Sequence, residues 1–335
     1  MAAKKMRLAD IAKLAGVSKS TVSFVLNGHA QKHRINEQTV KKVQAIAEAN
    51  NYSPSIYARA LKSKQTYTVG LVIPDLTNMG FATIAKYLES HCRRVGYQLL
   101  IASSDDDPQM EQLVIEGLVE RQVDLLFVAS AASDDQYLQQ VAKHTPVILF
   151  DRVIDDTELT SVKTDAVQAT QQVVARLAEE LDECVYIGGQ LELSPSKERL
   201  AGYRAALSLL GIRYQPQLVL NKDYQPESGY QMMAAVIDEL GRPPKALFTA
   251  SYTLLEGVLR YLTEHNLLAS PIRLATFDNS DILDCLPVKV DSIEQDCPLI
   301  AKVLYDTAAQ LLNSPNQSIA PQILKAKIHW RRHSP

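Results

Sequence analysis

The sequence predicts an α/β protein in which a small all-helical domain precedes a larger body built on doubly wound parallel sheets. Apolar residues recur at helical spacing over residues 7–51, and short β-rich runs alternate with helical patterns from residue 67 onward. The charge is also divided unevenly between these two parts. A chain of 335 residues has room for two or three domains.

The net charge of −3 conceals two parts of opposite sign. Residues 1–65 contain 12 Lys and Arg against 3 Asp and Glu, whereas residues 66–335 contain 23 against 35. Such a division suggests a small basic domain that meets a polyanion, carried by a larger acidic body.

Several classes of protein are excluded by what the sequence lacks. The first residues carry charges without the apolar segment of a secretory signal, so we expect a cytoplasmic protein, and no apolar run is long enough to cross a membrane. Cys92, Cys184, Cys285 and Cys297 are scattered without a CxxC pair, so we expect buried free thiols and no zinc site, disulfide framework or cofactor. No phosphate-binding glycine motif, GxSxG elbow or HExxH motif is present, and the sequence therefore does not predict an enzyme.

The first two helical patterns are joined by a tight turn. Gly16 suits the positive φ that ends a helix, and Ser18 suits the N-cap of the next. A third pattern, capped at Asn36, supplies supporting apolar residues that include Val43. A generic helical hairpin has the same spacing, but the basic charge favours a helix-turn-helix DNA-binding domain over residues 1–52.

The start of the second helix is predicted to read DNA. We expect Lys19 and Ser20 to contact base edges and Phe24 to make an apolar or stacking contact. The predicted phosphate contacts are Ser18, Thr21, Ser23, Asn27 and Arg34. Ser23 fits the role of a solvated polar residue equally well.

Residues 53–66 are predicted to be a hinge helix and linker. The stretch is too short to form a stable helix alone, so we expect it to fold against a second copy and to insert Leu61 into the minor groove. A plain interdomain linker remains the alternative. The predicted DNA contacts of this region and the residue before it are Tyr52, Ala58, Arg59 and Leu61.

The body, residues 67–335, alternates strand and helix patterns typical of parallel sheets covered on both faces. Eight to ten strands exceed one compact doubly wound unit, which predicts two lobes. We place lobe 1 at about 67–164 and 296–320, and lobe 2 at about 165–292 and 321–335. The predicted strands are 68–74, 98–103, 125–129, 147–151, 185–188, 217–220, 246–250 and 273–277. The predicted helices are 81–95, 109–121, 166–181, 196–210, 226–240 and 254–266.

Ligands of open parallel sheets bind beyond the carboxyl ends of the strands, so the residues that follow each strand form a candidate site. Carboxylates, guanidinium groups and aromatic rings predominate among them, a chemistry that suits a sugar. The candidates from position are Asn78, Phe81, Ser103, Asp151, Arg152, Ser196, Arg199, Ser251, Tyr252 and Asp278.

The stretches LADIAKLAGVSKSTVSFVLNG and NYSPSIYARALKSKQTYTVGLVIPD resemble the headpiece and hinge of the LacI/GalR family of transcriptional repressors, and the resemblance extends along essentially the whole chain. Body stretches such as GGQLELSPSKERLAGY and LATFDN are most similar to the sucrose operon repressor branch, followed by the fructose-responsive catabolite repressor/activators. The family implies a body like the periplasmic sugar-binding proteins, a homodimer, a palindromic operator and a sugar effector.

The resemblance also implies roles for particular residues. Arg199, in the motif RLAGY, and Asp278, which ends LATFD, match the family's contacts to effector hydroxyls. Asp151 matches an acidic residue at the end of the fourth strand, and Gln295 matches a glutamine of the crossover between lobes. Ser251-Tyr252 departs from the Asn-Asp of many relatives, so the hexose contact at that position does not transfer.

Arg152, Arg199 and Lys197 together are predicted to neutralise a phosphate, so the expected effector is fructose or fructose 1-phosphate rather than sucrose. The expected function is repression of a sucrose utilisation operon. A fructose-responsive repressor/activator of several operons is the alternative, and a sugar-binding transport protein is a less favoured one. Because no heptad repeat follows residue 330, a dimer is favoured over a coiled-coil tetramer.

Overall fold

The computed structural model describes residues 6–50, 52, 65–314 and 319–332. The chain divides into two compact units, residues 1–66 and 67–335, which we call the headpiece and the body. The predicted hinge residues Ala58, Arg59 and Leu61 lie outside the described residues.

The described part of the headpiece contains three helices: α1 (Leu8–Ala15), α2 (Lys19–Leu26) and α3 (Glu37–Ala49). Ile11, Val22 and Val43, one from each helix, are completely buried and form the centre of its core. A headpiece of this size has one small apolar core, so these three side chains determine how the helices pack.

Backbone geometry confirms the predicted helix ends. Gly16 has φ of 69° and ends α1 in the left-handed region, which a glycine adopts without steric cost. The Ser18 hydroxyl accepts a hydrogen bond of 3.0 Å from the Thr21 N–H at the start of α2. Asn36 accepts one of 2.7 Å from the Thr39 N–H at the start of α3.

The described part of the body contains two six-stranded sheets. In the first sheet, the strands in spatial order are β11 (Gln322–Leu324), β5 (Thr160–Thr164), β4 (Val147–Phe150), β3 (Leu125–Val128), β1 (Thr68–Ile73) and β2 (Gln98–Ser103). All of its pairings among the described residues are parallel. The helices of this lobe are α4 (Met79–Arg94), α5 (Pro108–Glu120), α6 (Gln136–Ala142) and α12 (Cys297–Asn313).

The second sheet has the same number of described strands but one reversed edge. Its strands in spatial order are β12 (Lys327–His329), β10 (Val290–Glu294), β9 (Arg273–Phe277), β8 (Ala246–Thr249), β6 (Val185–Gly188) and β7 (Val219–Asn221). The edge strand β12 runs antiparallel to β10, whereas the other described pairs are parallel. The helices of this lobe are α7 (Ala166–Leu177), α8 (Ser194–Leu210), α9 (Pro226–Leu240), α10 (Tyr252–Glu264) and α11 (Ile282–Cys285).

The chain passes between the two sheets three times within the described residues. It leaves the first sheet after Thr164, returns after Glu294, and passes to the second sheet again between Leu324 and Lys327. The assignment of residues 321–335 to lobe 2 was therefore wrong for β11, which pairs with β5 in the first sheet. The β-rich run near the end of the sequence holds two short strands separated by only two residues, and its apolar pattern does not reveal that break.

β5 and β7 differ from the sequence prediction for clear reasons, and β10 was not predicted either. β5 was not predicted because its sequence, TSVKT, is mostly polar although Thr160, Ser161, Val162 and Thr164 are buried. β7 begins two residues later than predicted because Pro216 starts a short 3-10 turn.

The helices α9 and α10 approach each other closely at two glycines. A Cβ on Gly229 would lie 2.2 Å from the Leu254 carbonyl oxygen, and one on Gly257 would lie 1.8 Å from the Pro226 carbonyl oxygen. Any larger residue would push backbone against backbone, so these glycines fix the distance between the two helices.

Cys92 and Cys184 are buried and Cys297 is half-buried, but Cys285 is exposed because it ends the short surface helix α11. The expectation of buried thiols was therefore wrong for Cys285. Within the described ranges, no helix combines the length and the apolar character needed to span a membrane.

Candidate functional site

The start of α2 is the exposed face of the headpiece predicted to read DNA. Ser18, Lys19 and Ser20 are exposed, whereas Val22 and Val25 on the opposite face are buried. Thr21 and Ser23 are half-buried. The Ser18 and Thr21 hydroxyls also lie 2.9 Å apart in a hydrogen bond, so the oxygen of Ser18 has a structural role as the N-cap.

The other predicted DNA contacts of the headpiece combine exposure with structural roles. The ring of Phe24 stacks on His33, with centroids 3.5 Å apart and planes at 12°. The Asn27 amide donates to the Ser23 carbonyl oxygen at 2.7 Å and to its hydroxyl at 3.2 Å, which holds the end of α2. Arg34 is exposed with φ of 51°.

Tyr52 packs half-buried against the headpiece core, and its N–H donates to the Ala47 carbonyl oxygen at 2.8 Å. Burial raises the pKa of its hydroxyl. Tyr52 therefore also fixes the chain as it leaves α3.

A cleft of about 350 Å³ opens in the body where the carboxyl ends of strands from both sheets meet. Pockets for small ligands typically have about 300–1,000 Å³, so the cleft is large enough for a sugar. It is lined by Pro74, Asp75, Thr77, Asn78, Gly80, Phe81, Ile84, Asp106, Asp151, Arg152, Pro195, Arg199, Tyr224, Gln225, Pro226, Ser251, Thr253, Glu256, Asp278 and Gln295.

The structure brings most of the predicted effector residues together in this cleft. Those that line it are Asn78, Phe81, Asp151, Arg152, Arg199, Ser251, Asp278 and Gln295. Ser103, Ser196 and Tyr252 do not line it. They lie close behind it, and each contacts neighbouring residues.

Arg199 is the most deeply buried charged group of the cleft, with 5 % of its surface exposed. One terminal nitrogen donates to the Ala250 carbonyl oxygen at 2.5 Å, and the guanidinium plane lies 3.7 Å from the ring centroid of Phe277. Its Nε finds no hydrogen-bond partner among the described residues. A buried donor without a partner is costly, which marks this guanidinium as a group held in place at a cost in stability.

Asp278 faces the same cleft from the end of β9. Its carboxylate accepts a hydrogen bond of 3.1 Å from the Gln295 amide, whose oxygen in turn accepts one of 2.9 Å from Thr164. Burial raises the pKa of Asp278, and the nearby Arg199 guanidinium opposes that rise. Gln295 thus links Asp278 to the end of β5 in the other lobe.

Asp151 and Arg152 enter the cleft from the end of β4. Arg152 is buried and forms an ion pair with Asp106, and its guanidinium lies 6.0 Å from the Phe81 ring centroid. The charge of Asp151 contributes to the raised pKa of Asp278, as expected for two carboxylates in one cleft.

The predicted phosphate-neutralising trio is not assembled. Lys197 lines a separate small pocket of about 20 Å³ and forms an ion pair of 2.8 Å with Asp155, whereas Arg199 lines the main cleft. Only Arg152 borders both. The prediction failed because Lys197 and Arg199 are two residues apart on α8, and positions with that spacing do not face the same side of a helix.

The three predicted residues behind the cleft each form a hydrogen bond with a residue that lines it. The Ser196 hydroxyl lies 2.7 Å from the Tyr224 hydroxyl, and Ser103 donates to the Pro74 carbonyl oxygen at 2.8 Å. The Tyr252 backbone N–H contributes a hydrogen bond to Asp278. These residues position others that do line the cleft.

Several lining residues were not predicted, and Tyr224 and Glu256 are the most informative. Tyr224 lies three residues after the short strand β7, which was predicted two residues too early, and its ring packs directly on Gly189. Glu256 lies in the second turn of α10, a position that a search restricted to strand ends does not reach.

The first turns of α8 carry contacts between the lobes. The Val153 N–H donates to the Ser194 hydroxyl at 3.0 Å, and Lys163 of β5 pairs with Glu198, directly before Arg199 in the sequence. Arg199 therefore lies on the same helix that makes these contacts between the two lobes. Among the described residues, no group of three or more His, Cys, Asp or Glu is placed to hold a metal ion.

Two family models together match most of the chain. Residues 7–55 match the model for bacterial regulatory proteins of the lacI family, and residues 66–292 match that for periplasmic binding proteins and the sugar binding domain of the LacI family. The predicted fold class, a helix-turn-helix headpiece with a two-lobed body, is confirmed.

Individual relatives agree with the family models. The chain is 44 % identical to a sucrose operon repressor from Klebsiella pneumoniae over 99 % of both chains, and 41 % identical to a fructose operon regulatory protein from Vibrio cholerae over 88 % of this chain and 91 % of that one. A crystal structure of the Cra transcriptional dual regulator from Pseudomonas putida, in complex with fructose 1-phosphate, aligns with a TM-score of 0.74 at 34 % identity, covering 79 % of this chain and 98 % of that one. These relatives are transcriptional regulators rather than enzymes, and the chain belongs to the LacI family of bacterial regulatory proteins.

Proposed function

We propose that this chain represses an operon for sucrose use and leaves its operator when a fructose-type effector binds in the cleft. The observation that carries the proposal is the convergence of Arg199, Asp151 and Asp278 in one cleft of suitable size. Bidentate carboxylates and a guanidinium group match the vicinal hydroxyls of a sugar, and Phe81 offers a ring for its C–H face.

The similarity to a sucrose operon repressor over the whole length of both chains supports the choice of operon. The relative solved with fructose 1-phosphate supports a ketose as the effector. Because sucrose metabolism releases fructose, a sensor of fructose or of its phosphate reports that sucrose is being used. We place the protein in the cytoplasm, where the operator and the effector both occur.

The repressing species in this proposal is a homodimer on a palindromic operator. Each α2 helix enters the major groove with Ser18, Lys19 and Ser20 at its leading end, as in other helix-turn-helix proteins. The effector favours a different arrangement of the lobes and so weakens the dimer's hold on DNA. It does so only by its differential affinity for the two states, a coupling that is typically about 1–3 kcal/mol.

A fructose-responsive regulator of several operons is the second candidate. The identity of 41 % to a fructose operon regulatory protein and of 36 % to a catabolite repressor/activator from Escherichia coli favours it. The two candidates share the cleft chemistry and differ in the set of operators bound.

Calorimetric titration of the full chain with sucrose, fructose and fructose 1-phosphate tests the proposed effector. We expect fructose or fructose 1-phosphate to bind and to release a labelled operator in a gel-shift assay. Binding of sucrose alone contradicts the proposal. Selection of bound sequences from random DNA, with and without fructose, then separates a single sucrose operator from several fructose-regulated ones.

A further inference from the structure

A buried arginine beyond the last described strand reaches the turn that follows β9. Arg331 comes two residues after β12 and is 8 % exposed. Its guanidinium donates to the Asn279 side-chain oxygen at 2.8 Å, the Ser292 hydroxyl at 2.7 Å, the Val290 carbonyl oxygen at 3.2 Å and Asp284 at 2.5 Å. Neither Arg331 nor any of these partners lines the cleft.

The side chain of Asn279 is held from two directions. Its oxygen accepts hydrogen bonds from Arg331 at 2.8 Å and from the Ser292 hydroxyl at 2.7 Å, which uses both lone pairs of an amide oxygen. Asn279 directly follows Asp278, so the position of one side chain constrains the backbone of the other.

Asp278 needs such support because its backbone is in an unfavourable conformation. Its φ of 68° lies in the left-handed region, which costs free energy for a residue with a Cβ. Conformations of this kind persist only where surrounding contacts hold them, and they concentrate at ligand sites. The described contacts that hold this turn include those of Gln295 and the Tyr252 backbone N–H to Asp278, and those of Arg331 and Ser292 to Asn279.

We propose that Arg331 is a positioning residue of the effector site, which acts through Asn279 to hold the left-handed turn at Asp278 and so directs its carboxylate into the cleft. This inference rests on the proposed function, since it assigns Asp278 a contact to the sugar. It gives the segment after β12 a role in effector affinity although that segment does not touch the ligand.

Arg332 provides a matched control. Its Nε donates to Asp291 at 2.8 Å, and the Arg331 N–H donates to the same carboxylate at 2.7 Å, so both arginines anchor the end of the described chain. Within the described residues, only Arg331 of these two contacts Asn279. If the two arginines are only structural anchors, substitutions of Arg331 and Arg332 should affect effector binding similarly. If Arg331 positions Asp278, only the substitution of Arg331 should weaken effector binding.

The test is calorimetric titration of fructose and fructose 1-phosphate into full-length wild type, Asn279→Ala, Arg331→Lys and Arg332→Lys. We expect Asn279→Ala and Arg331→Lys to raise the effector Kd about tenfold, as a hydrogen bond to a charged group implies. Arg332→Lys keeps the positive charge beside Asp291 and does not touch Asn279, so its effector Kd should stay within about twofold of the wild type. A cooperative urea transition, together with operator affinity without effector that matches the wild type, establishes that each variant is folded.

The double variant Arg331→Lys with Asn279→Ala separates positioning from independent effects. Because Arg331 acts through Asn279, the double variant should bind no more weakly than Asn279→Ala alone. The inference is overturned if the two single effects multiply to about a hundredfold in the double variant, or if both single variants keep the wild-type Kd. Either outcome leaves the proposed function intact. A wild-type chain that binds neither ketose overturns both.

Discussion

Asp151 and Asp278 occupy equivalent positions in the two lobes and share an unfavourable backbone conformation. Each directly follows a strand of its sheet, β4 for Asp151 and β9 for Asp278, with φ of 56° and 68°. Both line the cleft, and the charge of Asp151 helps to raise the pKa of Asp278. Two carboxylates held in left-handed turns on opposite sides of one cleft indicate a site prepared for a polyhydroxyl ligand.

The raised pKa of Asp278 predicts that effector affinity depends on pH. A raised pKa means that Asp278 becomes protonated at a higher pH than an ordinary aspartate, and the neutral acid loses acceptor capacity for sugar hydroxyls. Over an acidic pH range, fructose binding should therefore weaken at a higher pH than protonation of an ordinary aspartate would require. Calorimetry measures the change, and Asp278→Asn should bind weakly with a flatter pH profile. A wild-type affinity that is constant over this range contradicts the prediction.

The ion pair between Lys163 and Glu198 should favour the lobe arrangement seen in the structure. Neither residue lines the cleft, yet their pair joins β5 to the helix that carries Arg199. Since the effector contacts both lobes, Lys163→Met should weaken fructose binding about twofold to fivefold, in keeping with the modest energy of a half-buried pair. Lys302→Met removes an exposed pair with Asp306 inside α12 and serves as the control for calorimetry. Equal effects of the two substitutions would show that the pair has no role between the lobes.

Arg34 and Ser20 should contribute to operator binding in different ways. Loss of a phosphate contact makes the plot of log K against log salt less steep, by about 0.9 per subunit. Loss of a base contact instead reduces discrimination between sequences. Because Arg34 has φ of 51°, Arg34→Asn is the suitable substitution, since asparagine tolerates that conformation. Ser20→Ala should leave the salt slope unchanged and reduce the preference for the operator by about 1 kcal/mol. Fluorescence anisotropy over a salt series measures both the slope and the preference for the operator. An unchanged slope for Arg34→Asn contradicts the predicted phosphate contact.

Gly257→Ala should destabilise the body strongly. The added Cβ would lie 1.8 Å from the Pro226 carbonyl oxygen, so α9 and α10 must separate, at a cost of about 3 kcal/mol in the free energy of unfolding. Urea denaturation measures this cost. Gly117→Ala is the control, because its Cβ meets only the flexible end of Arg121 at 3.3 Å and alanine favours a helix. Similar stability of the two variants would mean that the close approach of the helices is not required.

The sequence was sufficient to predict the elements whose signals are local. The caps at Ser18 and Asn36 were predicted, as were the bounds of β2, β6 and β9, because apolar runs and capping residues need no tertiary context. β5 was missed because its buried residues are mostly polar, and their burial depends on neighbouring strands.

For the site, the ends of strands were a productive place to search. That rule alone identified Arg152, Asp151 and Asp278. It missed Tyr224 and Glu256, because their approach to the cleft depends on how β7 and α10 are oriented in the folded lobe. Lys197 was added separately, with Arg152 and Arg199 as a phosphate site, and that grouping failed because the directions of Lys197 and Arg199 on the helix were not considered.

The two short strands β11 and β12 have a consequence for the order in which the protein is made. Each closes one edge of a different sheet, and both are synthesised after every other described element of the body. A ribosome that has released everything up to α12 has therefore produced two lobes that each still lack an edge strand and, in the second, the anchoring side chain of Arg331. The two sheets therefore receive their last strands within a few residues of each other. The nascent lobes should complete their folding almost together, near the end of synthesis. Messages truncated before the codon for Gln322 should accordingly yield chains in which both lobes lack an edge strand.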